Sequence, residues 1–322
     1  MAIASFPRCS VYARTESLES PLGSASGFTR SFLLEIPLPW TKAAIDSTQV
    51  SQEIKAAIAS YRENIGDVSV TLLVPDYAYA GEGARLIDIQ VTEGQITKRD
   101  LLARDGDIAA IIRAMADDEP LPETVHIDDS PKRDIIVCTH GSRDACCGTF
   151  GVPIYQHLRQ LANTGGATRV WRSSHLGGHR FAPTLVDFPS GHGWAFVDEN
   201  IAESILTRTG SPELLRDHYR GWVGHKDAAL QMLEGEALAR FGWQWGQYAQ
   251  HGTVVSRDAE GRGREVEIIA THPDLPAITV RGEIEWGEEF TTIASCNAAP
   301  VTYTRKSLTQ FTSVIHETAC TS

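Results

Sequence analysis

The sequence predicts an α/β protein of two β-α-β-β-α units in series, followed by a helical and β-rich extension. Three observations carry that reading. Short apolar runs of strand length alternate with segments whose apolar residues recur at helical spacing. The same order of elements occurs twice. After about residue 210 the pattern changes to helix and then to several strands separated by turns. With 322 residues, 42% of them apolar, the chain is long enough for two domains with cores of their own.

Residues 1–28 are rich in Ser, Gly and Ala and are expected to be loosely ordered. The first unit, 29–125, opens with a strand over 30–36, stopped by Pro37-Leu38-Pro39-Trp40. A helix over 48–64 carries Ile54, Ile58 and Tyr61 on one stripe. Strands at 68–74 and 85–91 come next, then a helix over 99–114 with Leu101, Leu102, Ile108, Ile111 and Ile112. Residues 117–132 hold Asp117, Asp118, Glu119, Asp128 and Asp129 among three prolines, which reads as a charged connector rather than as catalytic carboxylates. The second unit, 126–215, repeats the order with strand 134–138, helix 152–163, strands 167–172 and 194–198, and helix 201–206. Val152, Tyr155, Leu158 and Leu161 supply the helical spacing.

In the extension, 216–322, a helix start at Ser211-Pro212-Glu213 leads into a stripe of Leu230, Leu233, Ala237 and Phe241. Strands are expected at 252–257, 264–270 and 277–286, and Trp243 and Trp245 read as packed against the main body.

Chemistry concentrates between Asp134 and Asp187, where 54 positions hold three of the six cysteines and four of the eleven histidines. The apolar strand at 134 ends in Cys138 and runs into Gly141, Cys146 and Cys147. The strand at 167 runs into Ser173-Ser174-His175-Leu176-Gly177-Gly178-His179-Arg180. A strand leading into a glycine-punctuated loop is a way to hold sulfur at the carboxyl end of a sheet, and glycines between two histidines let the backbone wrap a bound group. Cys and His donors select zinc, Cu(I) or iron–sulfur centres over magnesium or calcium. The C-x2-C spacing of structural zinc sites does not occur. The available pairs are Cys138-x8-Cys147 or Cys138-x7-Cys146, with His175-x3-His179. His140 reads as a turn residue and His157 as solvent-facing on its helix. Cys9, Cys296 and Cys320 read as isolated thiols in a reducing compartment.

This layout resembles the thioredoxin-like [2Fe-2S] ferredoxins, with His-x3-His in place of their second cysteine pair. More specifically, CTHGSRDACCG (138–148), SSHLGGHRFAPT (173–184) and LLEIPLPW (33–40) resemble recurring segments of the sucrase/ferredoxin-like family, over roughly residues 24–210. The resemblance implies two thioredoxin-like units, the second carrying a [2Fe-2S] cluster. It implies Cys138, Cys147, His175 and His179 as ligands, with Cys146 as the alternative to Cys147. The first unit has Pro37-Leu38-Pro39-Trp40 where the second has its cysteine loop, so it reads as a scaffold without a cluster.

The implied function is electron transfer or redox sensing, between protein donors and acceptors that the sequence does not name. No nucleophile–base pair, Walker loop or dinucleotide fingerprint can be located. Gly81-Glu82-Gly83 and Gly261-Arg262-Gly263 read as turns, and no carboxylate pair of the glycosidase kind, which the word sucrase suggests, can be located from the sequence. Imidazole ligands should raise the potential above that of a four-thiolate cluster and make it fall as pH rises. Arg143 and Arg180, beside presumed ligands, are expected to contact cluster sulfur or a partner, or to form ordinary salt bridges. Two other classes fit the same residues: a thiol oxidoreductase using Cys138 or the Cys146/Cys147 pair, without C-x-x-C, and a zinc-stabilised binding module. A net charge of −12 argues against nucleic acid. No run approaches the roughly 18 apolar residues of a membrane helix, and MAIASFPRCSVYAR has no signal-like apolar stretch. The expected location is the cytoplasm.

Overall fold

The computed structural model describes residues 8–79, 83–128, 132–162 and 167–316. The described residues open with a short helix, α1 (Cys9–Thr15), that buries Cys9, Ser10 and Ala13, so this part of the stretch 1–28, expected to be loose, is anchored; residues 1–7 lie outside the described residues.

The first unit comprises β1 (Arg30–Glu35), α2 (Gln52–Asn64), β2 (Ser69–Leu73), β3 (Ala84–Thr92), β4 (Gln95–Ala103), α3 (Ile108–Ala116) and β5 (Val125–Ile127). The second comprises β6 (Arg133–Cys138), α4 (Ala145–Ala162), β7 (Thr168–Ser173), β8 (Leu185–Phe188), β9 (His192–Trp194), α5 (Glu199–Thr207) and β10 (Tyr219–Trp222). Both run β-α-β-β-β-α-β, with one strand more before the second helix, and one more after it, than the sequence pattern gave reason to expect.

One helix boundary differs for a clear reason. The helix expected over 99–114 is a strand as far as Ala103 and a helix only from Ile108, because Asp107 accepts a hydrogen bond from the Ala110 backbone N–H and caps a helix there. Ser51 does the same for α2, accepting from the Ile54 N–H.

All ten strands join one sheet in the order β10-β9-β8-β6-β7-β2-β1-β3-β4-β5. Read outward from the middle, each half has its second strand first, then its first, third, fourth and fifth. The first two are parallel across the helical crossover and the others antiparallel. The halves meet edge to edge at β2 and β7, where Leu73 pairs with Ser173. These two residues are counterparts: Leu73 pairs with Glu35 at the end of β1, and Ser173 with Cys138 at the end of β6.

A buried ion pair repeats with the strands. Arg30, first in β1, donates through Nε and Nη2 to the two oxygens of Asp88 at 2.7 and 2.7 Å. Arg133, first in β6, makes the same fork with Asp187 at 2.7 and 2.6 Å. Asp88 stands opposite Phe32 and Asp187 opposite Ile135, the third residue of each strand.

Alternation along the strands divides the core between the two faces of the sheet. Phe32 and Leu34 pack with Ile54, Ile58, Tyr61, Ile111 and Ile112 of α2 and α3. Ile135 and Val137 pack with Leu158 and Ile205 of α4 and α5. Leu33 and Ile136 face the other way, with Trp171, Val186 and Phe188. Helix α4 begins earlier than the expected 152 and buries Gly151, Ile154, Leu158 and Ala162, of which Leu158 alone belongs to the expected stripe. Gly151 is required by the close approach: a Cβ there would lie 1.9 Å from the carbonyl oxygen of Cys138.

Helix α6 (Ala228–Phe241) is buried over most of its length because it packs both on β10 and on a second, antiparallel sheet. That sheet is β11 (Ala249–Arg257), β12 (Gly263–Thr271), β13 (Ile278–Thr292) and β14 (Val301–Ile315), in chain order. Leu233 and Ala237 meet Val266, Ile268, Val280 and Ile284 in one core with the second unit. Trp245 is fully buried, and Trp243 packs against Trp194. Strands β13 and β14 have 15 residues each, about 50 Å at ~3.4 Å per residue. The loop joining them carries Cys296 back to the start of α4.

Candidate metal centre

Strand β6 delivers Cys138, buried, to the carboxyl end of the sheet. The chain turns through Thr139–Asp144, and Asp144 starts α4 by accepting the Cys146 backbone N–H on Oδ1 at 2.9 Å. Cys146 and Cys147, expected in a loop, therefore occupy the first turn of a helix. Successive helical residues point about 100° apart, so the adjacent thiols diverge. Cys147 Sγ lies 3.8 Å from His175 Nδ1, and Cys138 Sγ lies 3.9 Å from the same nitrogen. The three ligand atoms fall within 4.8 Å of one another. Cys146 points elsewhere.

The histidine loop is fixed at both ends. Ser173 Oγ donates to the Val137 carbonyl at 3.0 Å. The Ser174 N–H donates to the Leu72 carbonyl at 2.8 Å, and Ser174 Oγ accepts the Leu72 N–H at 2.9 Å. Gly178 has φ 62°, the left-handed region, and a Cβ there would lie 2.8 Å from Nη2 of Arg220. Arg220, only 1% exposed, donates through Nη1 to the carbonyls of Leu176 and Gly177 at 3.3 and 3.2 Å, through Nε to Ser24 Oγ, and through Nη2 to the Ser24 carbonyl. A buried guanidinium needs such acceptors. Burial lowers its pKa to about 10, helped by Arg180 and opposed by Cys138 and Cys147, so it stays cationic at neutral pH. Sequence reasoning missed Arg220; its one signal was an arginine inside the short aromatic strand Tyr219-Arg220-Gly221-Trp222.

His179 sits beside His175, its Nδ1 3.3 Å from His175 Nε2. Its Nε2 is buried without a hydrogen-bond partner among the described residues, 3.9 Å from Asp144 Oδ2. Burial, then the neighbouring His175, lower the pKa of His179 and keep it neutral, the form that binds metal. The Cys138 pKa lies well below the usual thiol range. The Cys147 thiol hydrogen-bonds to it and His175 approaches it, which together outweigh burial. The same contact and burial raise Cys147, so the pair holds one proton between them.

The first unit supports this loop. His140 Nε2 lies 2.9 Å from the Thr41 carbonyl oxygen, with its ring edge-on to Trp40, and Ser142 Oγ donates to the Trp40 carbonyl at 2.7 Å. His140 is thus a packing residue. His157 is half-buried, with Nε2 3.3 Å from Glu203, rather than solvent-facing. Arg180 forms a salt bridge with Glu19 at 2.8 Å and lies over Phe181 and Tyr303, away from the thiols.

Cys9 and Cys296 are not the isolated thiols their spacing suggested. They converge with Cys146 and Asp144 in a second donor group. Sequence separations of 137 and 150 residues hid the contact. Cys320 lies outside the described residues.

Residues 21–221 match the family model described as Sucrase/ferredoxin-like. The chain belongs to the sucrase/ferredoxin-like family. The family match spans both units and ends before α6, leaving α1 and the second sheet outside it. A curated relative, altered inheritance of mitochondria protein 32 of Meyerozyma guilliermondii, is 30% identical over 97 residues, covering 28% of this chain. The matched part is 34% of that relative's length, about a third. The solved structure of a thioredoxin-like [2Fe-2S] ferredoxin from Aquifex aeolicus aligns with 24% of this chain and 78% of its own, at 15% identity and a TM-score of 0.22, a likeness too slight to argue from. Among the described residues of this family member, no helix is long and apolar enough to cross a membrane.

Proposed function

We propose that the chain is a [2Fe-2S] electron-transfer or redox-sensing protein whose cluster is held by Cys138, Cys147, His175 and His179. The observation that carries this is the convergence of the two thiols and His175 Nδ1 at the carboxyl end of the sheet, with His179 against His175. The donor chemistry supports this: one sulfur is held as thiolate and imidazole accompanies thiolate at iron and zinc, while His179, outside the group of three, adjoins it through His175 and has an Nε2 without a hydrogen-bond partner among the described residues. When bound, such a cluster supplies a one-electron couple, at a higher potential than one with four thiolates because neutral imidazoles place less negative charge on it.

The chain's own residues do the rest. Cys138 and Cys147 are buried, which keeps water from the sulfur side, whereas His175 and His179 are half-buried. The His179 side chain is 16% exposed, and this loop is the face we assign to an electron donor or acceptor protein. Arg220 fixes the histidine loop, and Trp40 and Thr41 fix the cysteine loop. The five described cysteines are all unpaired, in keeping with a reducing compartment, and we assign the cytoplasm.

The test is anaerobic purification of the full chain with iron, acid-labile sulfide and zinc measured per chain, and visible spectra before and after dithionite. Two irons, two sulfides and a bleachable spectrum are expected, with the spectrum shifted or lost in His179→Ala. No sulfide, together with zinc that disappears in Cys138→Ala, would replace the cluster by a zinc-stabilised module.

A further inference from the structure

The second donor group is assembled from three distant parts of the chain. Cys9 comes from α1, Cys146 from the first turn of α4, and Cys296 from the loop between β13 and β14. Cys9 Sγ lies 3.6 Å from Cys146 Sγ and 3.7 Å from Cys296 Sγ, and Cys146 Sγ lies 3.3 Å from Cys296 Sγ. Asp144 Oδ1 lies 3.6 Å from Cys9 Sγ, and all four donors fall within 4.8 Å of one another.

We propose that Cys9, Cys146, Cys296 and Asp144 form a closed structural zinc site. Around a tetrahedral zinc with bonds of ~2.3 Å to sulfur and ~2.0 Å to oxygen, neighbouring sulfurs stand ~3.8 Å apart and sulfur stands ~3.5 Å from oxygen. The three sulfur–sulfur spacings and the Cys9–Asp144 spacing agree to within about half an ångström. A disulfide would need a separation of ~2.05 Å, and three thiols cannot all pair. Thiolates favour zinc over magnesium or calcium.

Asp144 is oriented for the role. Its Oδ2 accepts the Cys296 N–H and the Ser295 hydroxyl, both at 2.8 Å, and its Oδ1 accepts the Cys146 N–H at 2.9 Å while facing Cys9. Ala182, Ile293, Tyr12 and Phe150 surround the group with carbon. Four protein donors in an apolar shell leave no position for substrate, which separates a structural from a catalytic zinc. Such an ion would fasten α1 and the long hairpin, both outside the family match, to the donor-bearing unit. The proposal uses none of the four cluster donors and stands apart from the proposed function.

The test uses the full chain with Cys138→Ala and His175→Ala, which disable the first donor group, purified anaerobically under thiol reductant. One zinc per chain is expected, replaceable by Co2+ with the strong thiolate-to-cobalt absorption of a tetrahedral site. Adding Cys296→Ser should remove both the zinc and that absorption. If the double variant does not fold, the unaltered chain is measured instead: one zinc that survives alongside its iron and sulfide, and is lost in Cys296→Ser with iron and sulfide retained, supports the site. A reduced chain with neither zinc nor cobalt–thiolate absorption overturns it. So does zinc unchanged by both Cys9→Ser and Cys296→Ser, or a disulfide among the three cysteines trapped by alkylation under anaerobic conditions.

Discussion

The two halves of the large sheet share their strand order, their crossover and their forked Arg–Asp lock, yet they end differently. Where β6 ends in Cys138, β1 ends in Glu35, a buried carboxyl that accepts the Arg85 backbone N–H at 3.2 Å. Where the second unit continues into a thiol-bearing turn and helix, the first continues into Pro37-Leu38-Pro39-Trp40. The frame is common to both units, and the candidate metal-binding residues Cys138, Cys147 and His175 stand at the strand end and loops of one. The silent half is not idle, because its Trp40 and Thr41 hold the thiol loop of its twin.

The strongest way to break this comparison is to exchange the fates of the counterparts. Cys138→Ala should leave the chain without iron or labile sulfide, while Glu35→Ala should leave metal content unchanged. Equal loss in both would show that Cys138 matters for folding and not as a donor. Next in size is the lock. Arg133→Met leaves Asp187 with Arg208 at 3.5 Å and should cost about 3–5 kcal/mol in urea unfolding, whereas after Arg30→Met Asp88 keeps Arg99 at 2.8 Å and the loss should be smaller. Equal losses would mean that Arg99 gives Asp88 no support that its twin lacks.

Smallest per unit of pH is the effect of a feature with no twin. Arg99 stands beside Asp88 in the first unit, whereas His192 stands beside Asp187 in the second, next to buried Glu234. Burial raises Glu234 to about 8, although Tyr219 and Trp245 donate to it at 2.6 and 3.2 Å. An unfolded glutamate ionises near 4.5, so the unfolded chain releases this proton first. Glu234 then makes stability fall as pH rises from about 4.5 through 8, by up to about 1.4 kcal/mol per unit. Thermal melts of Glu234→Gln should lose that part of the alkaline slope. His192, lowered to about 4 by burial, opposes it between 4.5 and 6.5, with stability falling as pH drops from 6.5 towards 4.

How much of this was legible in the sequence depends on the range of the interaction. The strand ending in Cys138 and the Gly-Gly loop between His175 and His179 announce themselves through local composition, and so does the repeated order of elements. Residues 95–103 were harder, since Leu101 and Leu102 fall in phase with Ile108 and Ile111 as a helix would place them. Only the Asp107 cap separates strand from helix. The divergence of Cys146 from Cys147 follows from helical geometry once α4 is known to start at Ala145, but that start depends on Asp144 as cap. The meeting of Cys9 with Cys296 is set by tertiary packing alone, through a hairpin whose last strand, β14, sequence reading did not foresee.

The seam at Leu73 and Ser173 pairs a residue with its own counterpart, as the two-fold axis of an isologous dimer does. In a true dimer every substitution is made twice, so a loop cannot become a donor in one copy and a buttress in the other. Written on one chain, the same architecture is released from that symmetry. One gene can then keep its metal-binding residues beside one copy and turn the second loop wholly to their support.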